Sequence, residues 1–310
     1  MPCARAAATL RGLHPKARIA LAWLSLTLVS STTAAAEPLV WRDEWPKFRP
    51  AEIAFASGNT MQVVASAVLW NEPTRNFDGP VLFDGPIRDA IRLPTRDART
   101  AAATVSDMMY YALLAYPAVE APIDGAVRGN GTVAAQTLAI NWEAFAFAGA
   151  SAIALEKVGR ARPMARECDR DPSYDRRCGE TARLNTSNVS GHTTIAFTGA
   201  GLVCAHHLNL PLYGGGAPDT FACVAAMTIA TAQGVLRAQS DNHYATDVIL
   251  GAALGIGSGY FLPRLLHYRS RAGRGGSLLP SFHARESGLS AVLAPSISST
   301  MLGATLVGTL

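Results

Sequence analysis

Long apolar runs, separated by short clusters rich in glycine, proline and charge, dominate the chain from Ala51 onward. Their length and apolar spacing predict helices over residues 51–70, 101–116, 134–158, 192–208, 220–237 and 243–260, with a turn-rich stretch over 71–94. The body is therefore expected to be all-α. Asp219, following Gly214, Gly215 and Gly216, has the chemistry of an N-cap for the fifth helix. On the sixth, Gly251, Gly255 and Gly259 recur every four residues and would let another helix pack closely. Past Tyr268 the pattern changes. A basic, glycine-rich linker over 269–276 leads to residues 289–310, where Leu302, Ala304 and Leu306 alternate with Thr305, Val307 and Thr309. That period of two predicts a short β-like tail, with Pro295 on an edge strand.

The N-terminal 36 residues follow another logic. Arg5, Arg11, Lys16 and Arg18 precede the apolar run 19–29, and the segment ends in Ala34-Ala35-Ala36. A basic start, an apolar run too short to span a bilayer and an Ala-x-Ala site predict a signal peptide cleaved before Glu37. Removing its four basic residues from 27 leaves 23 against 23 acidic ones, so the mature chain is formally neutral and no nucleic-acid partner is expected. Cys168 and Cys178 lie in a polar loop, where a disulfide would suit an oxidising compartment. Cys204 and Cys223 fall in apolar helical runs and are expected to pack as small hydrophobes, although a pair between neighbouring helices is an alternative. With 16% charged residues and a mean hydropathy of +0.16, the composition lies between soluble and multispanning proteins. Asn141 and Glu143 interrupt the third helix, and His206-His207 ends the fourth, as a helix C-terminus rather than a metal site. The balance favours the periplasm or cell envelope, with membrane association left open.

Three segments carry chemistry. Arg237 and His243 are followed by Asp247, four residues beyond the histidine; on a helix the carboxylate would share the ring's face and orient it. Ser190-Gly191-His192 opens an apolar run, so Ser190 would cap a helix whose first N–H groups favour an anion. Arg162-Pro163 follows the run 134–158, and Pro163 is expected to end that helix with Arg162 at its C-terminal mouth. There, a planar guanidinium could grip two phosphate oxygens.

Taken in order, these segments resemble the signature of the type 2 phosphatidic acid phosphatase and haloperoxidase superfamily: Lys-x6-Arg-Pro, then Pro-Ser-Gly-His, then Ser-Arg-x5-His-x3-Asp. The match covers roughly residues 135–265. Val189 stands for the proline, Leu236 for the serine and Leu155 for the lysine. For the missing lysine, Lys157 or Arg160 reaches in, or one phosphate contact is absent. The resemblance implies a six-helix bundle; with the sequence pattern this divides the chain into 37–130 with two helices, a catalytic core over 131–268, and the linker and tail over 269–310. It implies a metal-free phosphatase acting on a soluble or lipid phosphate. His243 would be the nucleophile, Asp247 its orienter and His192 the proton donor. Arg162, Arg237, Ser190 and Gly191 would bind phosphate. The alternatives are a vanadate-dependent haloperoxidase and a phosphate-binding protein without turnover.

Overall fold

The computed structural model describes residues 38–179, 183–269, 281–283, 290–297 and 302–309. Residues 1–36, the expected signal peptide, and the glycine-rich part of the expected linker lie outside them. The described helices are α1 (Pro50–Val68), α2 (Asp84–Ile91), α3 (Arg96–Val127), α4 (Gly131–Glu156), α5 (Ala165–Arg170), α6 (Gly191–His207), α7 (Ala217–Gln239), α8 (Ala245–Ile256) and α9 (Leu262–Leu266). A π-helical turn, Gly257–Phe261, joins α8 to α9. The second predicted helix is longer than the apolar pattern indicated, because α3 runs through Pro117 and Pro122. The turn-rich stretch contains the additional short helix α2.

α6 is the axis. It is apolar all round and, apart from the half-buried Ile195, buried from Thr193 to His207, which is what such a helix requires. Around it pack α3, α4, α7 and α8, with α1 against the outside of α4. Close approach is built from small residues. A Cβ on Gly255 or Gly259 would stand 2.4 or 2.0 Å from the carbonyls of Thr194 and Thr198. The predicted glycine stripe is thus the surface where α8 meets α6. Pro117 supplies no N–H to the Leu113 carbonyl four residues earlier. That carbonyl faces Gly199 of α6, where a Cβ would lie only 2.0 Å away.

Three sequence expectations about local structure are corrected. Asp219 is not the cap of α7, which begins after Gly216; its carboxylate instead accepts the Tyr213 and Gly215 N–H groups and pairs with His207. α4 stops at Glu156, leaving Arg162 in the following loop and not at the helix mouth. Cys204 and Cys223 are bonded to each other, tying α6 to α7, because adjacent helices bring two apolar cysteines face to face. Cys168 and Cys178 are likewise joined.

In the C-terminal part, β1 (Ser281–His283), β2 (Ser290–Ile297) and β3 (Leu302–Thr309) form an antiparallel sheet in that order. β2 is central, but at Pro295 it pairs with β3 alone, so the missing N–H breaks no β1 contact.

Candidate active site

At one end of the bundle α6 and α8 begin while α4 and α7 finish. Two positive helix ends and the residues flanking four helices therefore converge there. A cavity of about 480 Å³ is lined by Arg162, Gly191, His192, His243, Glu156 and Arg183, among others. A smaller one of about 150 Å³ shares Arg162, Arg183 and His192 and adds Asp107, Arg177 and Arg237.

Ser190 caps α6 as its sequence suggested, its Oγ accepting from the Thr193 N–H at 3.4 Å. This places Gly191 and His192 in the first turn. The ring of His192 lies against Tyr110 and its Nε2 is 3.5 Å from Asp107 Oδ1. Asp107 also accepts from Arg237 Nη1 at 2.8 Å. It is a site residue the motif reading missed; its trace in the sequence is that no other acidic residue stands between Asp97 and Glu120 on α3.

Arg162 donates to Thr186 Oγ1 at 3.1 Å and more weakly to Asn242 Oδ1 at 3.4 Å. The Nε atoms of Arg162 and Arg237 are buried with no hydrogen-bond partner among the described residues. Buried guanidinium N–H groups normally find acceptors, so both are suited to an anion. Burial, with the cations of Arg177 and Arg183 adding to it against the Glu156 carboxylate, draws the Arg162 pKa down to about 10. It stays charged at neutral pH.

His243 precedes α8 instead of lying on it, and the expected contact with Asp247 is not made. Its Nδ1 is 3.1 Å from the Ser187 carbonyl. A carbonyl only accepts, so the neutral ring carries its proton on Nδ1 and leaves a lone pair on Nε2. Asp247 acts one step back. It accepts from Ser187 Oγ at 2.6 Å, from the Tyr244 N–H at 3.0 Å and from Arg160 at 2.5 Å. The i, i+4 argument fails because the helix starts at Ala245, after the histidine. Burial, then the Arg162 and Arg237 cations, holds His243 well below the usual histidine range. Burial followed by Arg237 and Arg162 does the same to His192.

Neither Arg160 nor Lys157, the two substitutes expected for the family lysine, lines either cavity. Arg160 is buried between Asp84 and Asp247, at 2.5 Å from each. Lys157 lies over the Trp70 ring and donates to the Asn71 carbonyl. Besides Arg162 and Arg237, the cations that line the cavities are Arg176, Arg177 and Arg183, which come from the disulfide-bearing loop and its continuation, and no motif pointed to them. The turn before His243 is held by Asp241, at φ 61°, whose carboxylate takes Arg88 bidentately at 2.6 and 2.7 Å.

The family model of the PAP2 superfamily matches residues 141–271, the stretch that supplies Arg162, His192, Arg237 and His243. Members of this superfamily are phosphatases or related hydrolases, with haloperoxidase-type activity in the same group. Curated proteins and solved structures give no match. Within the PAP2 segment, the described residues contain no cluster of three or more His, Cys, Asp or Glu arranged to hold a metal ion.

Proposed function

We propose that the protein is a metal-free phosphomonoesterase of the PAP2 superfamily that works through a phosphohistidine. The observation that carries this reading is the convergence of two histidines with two buried, partly unpartnered guanidiniums at a helix N-terminus. Arg162, Arg237 and the first N–H groups of α6 receive the phosphate oxygens and the charge that spreads over them in the transition state. His243 Nε2 attacks phosphorus, and the phosphorus–oxygen bond to the leaving group breaks. His192, in its protonated form beside Asp107, transfers its proton to the departing alkoxide. Water, losing a proton to His192, then cleaves the phosphorus–nitrogen bond and releases inorganic phosphate and free His243. Asp247 positions the nucleophile indirectly, by fixing the Ser187 peptide whose carbonyl holds Nδ1.

The substrate is an amphiphilic phosphate ester. An apolar groove of about 410 Å³ runs between α1, α3 and α4, with walls including Val63, Leu114, Phe145 and Ile153. It shares Glu156, Gly191 and His192 with the catalytic cavity, so a phosphate in the cavity can leave its chain in the groove. Three helices, Gly131–Glu156, Ala217–Gln239 and Ala245–Leu266, are long and apolar enough to cross a membrane. Together with the Cys168–Cys178 disulfide, in the loop that supplies Arg176 and Arg177 to the cavity wall, they support an envelope protein whose catalytic end faces an oxidising compartment.

Hydrolysis of dodecyl phosphate and ethyl phosphate by the full chain in detergent tests both parts. His243→Ala should lower turnover of either ester by a factor on the order of 10²–10⁴. Gly149→Leu, which projects into the groove facing Val63, should reduce only dodecyl phosphate hydrolysis. Wild-type rates from His243→Ala would end the phosphohistidine reading; equal effects of Gly149→Leu on both esters would end the amphiphile reading.

A further inference from the structure

The superfamily pattern asks for a lysine at position 155, but Leu155 is 42% exposed and Glu156 is the residue that faces the site. A carboxylate in a phosphate pocket is the wrong charge, yet its placement is specific. A Cβ on Gly191 would stand 3.0 Å from Glu156 Oε1, so that oxygen overlooks the first residue of α6, where the free N–H groups point. The Glu156 carboxylate makes no hydrogen bond or ion pair within 4 Å among the described residues, and the residue lines both the cavity and the groove. The charged and titratable groups facing it are Arg162, Arg183, His192 and His243 from the cavity walls, Tyr110 from α3, and Lys157 at the end of its own helix.

Resting on the phosphatase reading, we infer that Glu156 enters the phosphate complex as a neutral carboxylic acid and donates its O–H to a phosphate oxygen. Two anions this close favour one shared proton over two bare charges, as in a carboxylate pair. The proton comes from solvent, and the resulting O–H···O contact supplies a donor in place of the missing ammonium. Glu156 is thus a binding residue for the phosphoryl group, and substrate binding weakens as pH rises.

Calorimetry of inorganic phosphate binding to the full chain in detergent, repeated in buffers of different ionisation enthalpy, counts the protons taken up. At pH 8 the wild-type protein should take up close to one proton more than Glu156→Gln. Its Kd should also rise more steeply between pH 7 and pH 9 than that of the variant, which keeps a neutral donor at every pH. His192→Asn should retain the Glu156-dependent proton. Equal uptake by wild type and Glu156→Gln overturns the inference. Phosphate binding with the expected uptake but no ester hydrolysis supports it while removing the phosphatase reading. No phosphate binding removes both.

Discussion

His192 and His243 show how burial sets the chemistry of a single residue. Each ring is kept neutral by desolvation and by neighbouring guanidiniums, which suits a nucleophile but leaves His192 in need of a nearby anion before it can act as an acid. The cost appears in stability. An unfolded chain binds a proton on each ring near pH 6.5, whereas the folded chain binds it only at lower pH. Across that window the unfolded state holds more protons, so stability rises with pH and levels off above about 6.5. Thermal unfolding should therefore show a falling Tm on acidification below this point, with a shallower slope in the His192→Asn, His243→Asn double variant. An identical slope would mean that these rings are not held neutral by the fold. The same residues show what a motif conceals: the spacing of His243 and Asp247 is real, but the carboxylate works through the Ser187 peptide.

Between elements, the decisive contact is Arg160. Its guanidinium joins Asp84 at the start of α2 to Asp247 in the first turn of α8, and Thr246 completes the set by donating to Asp84 at 2.8 Å. Removing one member of a buried charge cluster leaves the others unpaired, a loss of about 3–5 kcal/mol. Arg160→Met should destabilise the protein by that order in denaturant unfolding and lower activity by loosening the Ser187 peptide. A loss below about 1 kcal/mol would show that water or neighbouring groups satisfy the two carboxylates. In the sequence, Arg160 looked like a candidate phosphate ligand, since nothing local announces that Asp84, 76 residues earlier, will meet it. The glycine stripe of α8 could be read in advance, because its meaning lies in a four-residue period and needs no knowledge of the partner.

At the scale of the whole molecule, the outward faces of the helices matter most. Large apolar side chains stand exposed along α1 (Met61, Val64, Val68), α3 (Met108, Val119, Ile123), α7 (Phe221, Val224, Val235) and α8 (Ile249, Leu250). Scattered apolar residues are ordinary on a soluble surface; rows of them on four helices are compatible with membrane association. The 22 residues of Ala245–Leu266 would extend roughly 33 Å at 1.5 Å per residue, about the thickness of a bilayer core. Mild detergent should therefore be needed to release the protein from membranes, and osmotic shock alone should leave it behind. Quantitative release by osmotic shock would remove the membrane from the proposed function. Glu143, inside Gly131–Glu156, meets His267, which follows the end of Ala245–Leu266. They are paired at 2.8 Å inside the bundle and present no charge outward.

The linear chain already contained the all-helical body, Ser190 as a cap, and the order of arginine, histidine, arginine and histidine motifs, because each depends on local periodicity or on residues a few positions apart. Tertiary packing decided which carboxylate serves which histidine, that Asp107 belongs to the site, that Cys204 bonds to Cys223, and that Glu156 rather than a lysine overlooks α6. These depend on approaches between residues far apart in sequence, set by how closely the helices can pack. A local pattern carries no information about them.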